Sequence, residues 1–147
     1  MFERRLHALC PGREIITAAC PDFVTLIESG HFSPDDPVVR TAVEKYLRAM
    51  KEAGVRELLL GCTHYGLISE AIDRYLDGKT TLVSASECTA LAVSRMLTDS
   101  GMTGGEGKTD YYTSGSAREF DEKAAMLLGH AIEGAVSVPV MEVPPLI

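Results

Sequence analysis

The chain has 147 residues, 46% hydrophobic and 24% charged, with 14 basic against 21 acidic side chains for a formal net charge of −7. That balance belongs to a single globular chain and excludes collagen-like, coiled-coil and disordered classes. With no Lys/Arg cluster and no run approaching about 18 apolar residues, it points away from nucleic acid and from a membrane span.

The opening MFERRLHALCPG has no apolar core and no small-residue cleavage site, so no secretory signal is expected and the predicted address is cytoplasmic. Residues Glu3 to Leu9 read as the tail of a helix stopped by Pro11-Gly12, and Glu14 to Cys20 as a buried strand. Pro21 opens a short helix, Asp22 to Glu28, closed at Ser29-Gly30. Val38, Val39, Ala42, Val43, Tyr46, Leu47 and Met50 recur at helical spacing up to a stop at Gly54, which predicts the longest helix.

Glu57 to Gly61 is an apolar strand that runs into Cys62-Thr63-His64 and a helix from about Tyr65 to Leu76. The strand–turn–helix unit repeats as Thr81 to Ser84 with Glu87 to Leu97, and as Asp110 to Thr113 with Ala117 to Leu128. Ala135 to Val143 reads as a last strand, closed by Pro144 and Pro145. This rhythm predicts an α/β fold of three-layer βα units with a largely parallel sheet, in which ligands sit at the carboxyl ends of the strands. The Gly-rich segment Asp99 to Thr109 lacks the order of a phosphate-binding loop and precedes a strand, so it reads as a surface loop.

Four cysteines at positions 10, 20, 62 and 88 form no CxxC pair, which suits neither a zinc knuckle nor a disulfide framework; free thiols and no metal are expected. Cys62 follows a strand and opens a helix, where unpaired N–H groups favour a thiolate, and His64 stands two residues away to exchange its proton. Thr63 between them offers a hydroxyl and an N–H to a carboxylate. An inert cysteine capping a strand beside a surface histidine fits the same spacing. Cys20 and Cys88 read as core thiols and Cys10 as a packing residue. His31 is a candidate to face the cleft, whereas His7 and His130 suit helix surfaces, and Glu119, Asp121 and Glu122 read as a solvated helix face.

The run LLLGCTHYGLI closely resembles the carboxyl-half signature LGCTHYPL of the glutamate racemases, within the aspartate/glutamate racemase superfamily. ACPDFVTLIESG (Ala19 to Gly30), VSASECTALAV (Val83 to Val93) and YYTSGSAREFDEKAAMLLG (Tyr111 to Gly129) match in the same order. The resemblance implies a cofactor-independent racemase that interconverts L- and D-glutamate with two thiols on opposite faces of the α-carbon, serving peptidoglycan synthesis. It also implies a homo-oligomer. By the same resemblance Cys62 is the second family cysteine, His64 its assisting base, Thr63 a substrate contact and Glu28 an acidic residue lining the site.

Gly66 stands where the family usually has proline. The family's amino half, with its Asp-Ser pair and its first cysteine in a CNTA-like motif, has no counterpart in these residues. The resemblance therefore predicts the carboxyl-terminal portion of a two-lobed enzyme, inactive alone, with residues 1–100 as a second-lobe-like domain carrying the CTH motif. Residues 101–147 would be a returning segment that completes the first lobe. Three alternatives remain open: a non-catalytic binding or oligomerisation module, a hydrolase with a Cys62 nucleophile and His64 base, and an aspartate racemase.

Overall fold

The computed structural model describes residues 2–105, 107–132 and 134–140. The chain divides into two compact units, Met1–Met102 and Thr103–Ile147.

The first unit contains α1 (Phe2–Leu9), α2 (Pro21–Glu28), α3 (Pro37–Glu52), β1 (Glu57–Leu60), a 3₁₀ helix (Thr63–Ile68), α4 (Ser69–Tyr75), β2 (Thr81–Ser84) and α5 (Ala85–Asp99). Helix α3 starts where Asp36 accepts a hydrogen bond from Val38 N at 2.8 Å and Pro37 presets the first turn. It ends as Gly54 turns left-handed at φ 62°. Its buried stripe Val39, Val43, Leu47 and Met50 meets Ile72 of α4, with Phe23 and Ile27 of α2 completing the core. Strands β1 and β2 pair in parallel from Glu57 opposite Thr81 to Leu60 opposite Ser84. Leu58 and Leu60 are buried while Glu57 is exposed, as a strand with one covered face requires. No side chain of α5 is buried, although Ser84 caps its start by accepting from Glu87 N.

The second unit contains β3 (Tyr112–Thr113), α6 (Ala117–Leu128) and β4 (Val136–Ser137). β3 and β4 pair in parallel, Tyr112 opposite Val136. Ser116 caps α6 through Glu119 N, Gly129 ends it at φ 74°, and Asp121 accepts from Ala135 N at 2.8 Å. Among its described residues no side chain is buried.

The α/β class with parallel strands is what the structure has. The sheet takes the form of two separate two-stranded pairs. The predicted strand over Glu14 to Cys20 is not formed; these residues belong to no helix or strand and have no ladder partner among the described residues, and an apolar segment becomes a strand only when a neighbouring strand pairs with its N–H and C=O groups. The predicted helix from Tyr65 is a 3₁₀ helix followed by α4. The predicted strand at 110–113 shortens to two residues, and of the last predicted strand only Val136–Ser137 forms, residues 141–145 lying outside those described. No described helix is long and apolar enough to cross a membrane.

Candidate active site

Strand β1 delivers the chain through Gly61 to Cys62, which stands in extended conformation immediately before the 3₁₀ helix. The tight turn that follows brings residues two apart onto one side. Cys62 Sγ lies 3.9 Å from His64 Nδ1. The other nitrogen, His64 Nε2, lies 3.3 Å from Glu28 Oε1 at the end of α2, with side chains 30% and 38% exposed. Thiol, imidazole and carboxylate thus form one continuous line, half-screened from water. This is the arrangement in which a carboxylate selects the imidazole tautomer and the imidazole exchanges a proton with sulfur. The helix that directly follows Cys62 is a short 3₁₀ segment, not the α-helix expected from about Tyr65.

Tyr65, next in sequence, donates its hydroxyl to the carbonyl of Cys20 at 3.2 Å. Its ring meets the buried ring of Phe23 edge-on at 5.2 Å, and Phe23 meets Tyr46 in the same way at 5.4 Å. Burial pushes the Tyr65 phenol above its ordinary value, and the nearby thiols of Cys20 and Cys62 add to the effect. The Tyr46 hydroxyl and Lys45 both donate to Asp22, whose carboxyl is held below the usual range by Lys45 first and Tyr46 second.

An open cavity of about 1100 Å³ is lined by Cys62 and also by Cys20, Ile15, Leu59 and Val83. Cys20 is buried, its thiol pushed up by desolvation, in keeping with a core cysteine. Cys88 departs from its expected burial, lying exposed on α5, which has no buried residue, and Cys10 is also exposed. Thr63 is exposed, and among the described residues its side chain makes no hydrogen bond. His31 is engaged away from Cys62: its Nδ1 lies 2.7 Å from Asp36 Oδ2 at the start of α3. Among the described residues no three His, Cys, Asp or Glu side chains are grouped to hold a metal ion. Gly66 has a negative φ, and a Cβ there would make only ordinary contact with Ser84 and Ser86 at 3.6 and 3.5 Å.

No family model matches the chain. Among curated proteins, the glutamate racemase of Desulforudis audaxviator is 32% identical over 146 residues, covering 93% of this chain and 53% of its own length. Among solved structures, the Thermus thermophilus glutamate racemase, determined in complex with β-chloro-D-alanine, is 34% identical with a TM-score of 0.72; the match covers 84% of this chain and 47% of that one. A glutamate racemase isoform from Bacillus anthracis is 30% identical with a TM-score of 0.78, covering 96% and 53%.

The chain is a homologue of the glutamate racemases. It spans about half the length of the curated relatives it matches. The resemblance carried by LLLGCTHYGLI therefore extends to the fold. Of the residues singled out in this racemase homologue, Cys62, His64 and Glu28 come together, whereas Thr63 stands beside them facing solvent. The tie from Tyr65 to Cys20 had no signal in the local pattern beyond an aromatic residue inside the motif.

Proposed function

We propose that this chain supplies one side of the active site of a cofactor-independent glutamate racemase, with Cys62 as the proton-transfer thiol. The Cys62–His64–Glu28 line, with Cys62 among the residues that line a cavity, is the observation that supports the reading most strongly. Removal of the α-proton breaks a C–H bond whose electron pair stays on the α-carbon and spreads into the carboxylate. The proton passes to the Cys62 sulfur, and His64, oriented by Glu28, keeps that sulfur able to receive it. A second thiol on the opposite face then donates a proton to the carbon, inverting it; in the reverse direction Cys62 is the donor. A positioned acid or base of this kind contributes about 10²- to 10⁴-fold to rate.

Thr63, exposed beside the pair, is placed to meet a substrate carboxylate. The bound small amino acid of the Thermus racemase homologue supports an amino-acid ligand. Two-lobe assembly, with residues 1–100 and 101–147 belonging to different lobes, a cytoplasmic role in peptidoglycan synthesis, and homo-oligomerisation belong to the same proposal.

None of the other three thiols shares Cys62's setting: Cys10 and Cys88 are exposed and Cys20 is buried. The chain alone is therefore expected to leave the ellipticity of pure L- or D-glutamate constant, since one thiol reaches one face of the carbon. Fused to the amino half of a homologous racemase, it should bring either enantiomer to zero ellipticity. Racemisation by the chain alone at enzyme-like rates, or a fold-competent fusion without activity, would overturn this reading.

The same line supports a second reading. A thiol, an imidazole and an orienting carboxylate in that order are the parts of a nucleophilic hydrolase. Burst release from a chromogenic ester that depends on Cys62 would favour it over proton transfer.

A further inference from the structure

We propose that Tyr65 is a positioning residue that holds His64 against Glu28 and thereby sets the reactivity of Cys62. This rests on the reading of Cys62 as the proton-transfer thiol and adds a residue that is not itself a member of the catalytic line. The 3₁₀ helix that follows Cys62 and carries His64 and Tyr65 meets α2 at two places. At the start of α2, the Tyr65 hydroxyl donates to the Cys20 carbonyl at 3.2 Å, the same oxygen that accepts Phe23 N at 3.2 Å. At the end of α2, His64 Nε2 meets Glu28 Oε1 at 3.3 Å.

Helix α2 is a short rigid rod between these two points. Seven residue steps at 1.5 Å make it about 10 Å long, so a pivot of about 10° at the Cys20 end carries Glu28 roughly 2 Å at the other. A contact at 3.3 Å does not survive such a shift, because hydrogen bonds weaken steeply with distance and angle. Tyr65 holds the first turn of α2 twice over, its hydroxyl on the Cys20 carbonyl and its ring edge-on to the ring of Phe23, which α2 carries and which is 2% exposed. The surrounding core of Phe23, Tyr65 and Tyr46 adds stiffness without touching the sulfur.

The test is alkylation of the intact chain by iodoacetamide at neutral pH, with modification at Cys62 measured by peptide mass spectrometry against exposed Cys88 as internal reference. Glu28→Gln and Tyr65→Phe should each lower the Cys62/Cys88 rate ratio by about threefold or more, and in the Glu28→Gln background Tyr65→Phe should change nothing further. Tyr65→Phe keeps the ring and its contact with Phe23, and a thermal melt checks that the fold persists. Should it not fold, Phe23→Leu slackens the same tie from the ring side and is expected to act in the same direction, again silent beside Glu28→Gln. An unchanged ratio in Tyr65→Phe, or losses that multiply in the double variant, overturns the positioning role while leaving the Cys62 reading intact. A ratio unmoved by both Glu28→Gln and His64→Asn removes the catalytic line itself, and the role of Tyr65 with it.

Discussion

His64 Nε2 and Glu28 Oε1 stand 3.3 Å apart although 36 positions separate them in sequence, and the opposite nitrogen of the same imidazole faces Cys62 Sγ at 3.9 Å. Two elements with unrelated local patterns, the end of α2 and a 3₁₀ turn, are thus joined through one side chain. In a racemase completed by fusion to an amino half, Cys62→Ala should lower turnover by at least about 10²-fold in both directions, since each direction uses the sulfur as acid or base. Polarimetry started from each enantiomer separately measures this, and normal racemisation by the variant would make Cys62 a structural residue.

Ile72 of α4 is 1% exposed in the core of the first unit, between α3 and the 3₁₀ helix. Ile72→Ala should destabilise this unit by about 2–5 kcal/mol, from lost transfer energy and the cavity left behind. Urea denaturation followed by circular dichroism gives the number; a loss under about 1 kcal/mol would mean that the core collapses around the gap.

Asp36 carries both the start of α3 and a contact with His31, and its carboxyl is held below the ordinary carboxylate range, with the His31 imidazole the larger cause and Val38 N the next. A carboxyl lowered in the folded state contributes stability above its unfolded value, and that contribution is lost as pH falls through the folded value. The midpoint of urea unfolding should therefore drop as pH is taken below about 4. In Asp36→Asn, which keeps an acceptor for the helix cap but no charge, the acid limb should be shallower. Identical pH profiles for the two proteins would remove Asp36 from the account.

Gly66 needs none of the freedom that glycine has: its φ is negative, and an added Cβ would touch the Ser84 and Ser86 hydroxyls at no less than 3.5 Å. Gly66→Ala should raise stability by about 0.4–1 kcal/mol by restricting the unfolded chain. A lowered thermal midpoint would reveal a clash that the backbone geometry does not contain.

Leu91 and Met96 of α5 are 55% and 60% exposed, on a helix with no buried residue. Exposed apolar surface of this kind favours association. The chain is expected to elute earlier from size-exclusion columns as its concentration rises and to bind a hydrophobic dye, and Leu91→Lys with Met96→Lys should weaken both. A sharp, concentration-independent monomer that ignores the dye would contradict the expected homo-oligomer.

Helix α3 was readable from residue spacing, because a 3.6-residue period and a terminating Gly54 are local signals; its Asp36 cap was found in the structure. The proximity of Cys62 and His64 follows in the same way, from two residues of turn after an apolar strand, and the CTH run was enough to mark the family resemblance. Glu28 was named through that resemblance, with no local pattern to place it. Its approach to His64, and the reach of Tyr65 to Cys20, arise only when α2 packs on the 3₁₀ helix around Phe23. The apolar run from Glu14 to Cys20 shows the converse: β-type composition is a property of a segment, but a strand is a property of a pair, and among the described residues it has no ladder partner. Periodicity and caps act over a turn or two, so the chain alone determines them; contacts across dozens of residues depend on which faces the core brings together, and tertiary structure decided those.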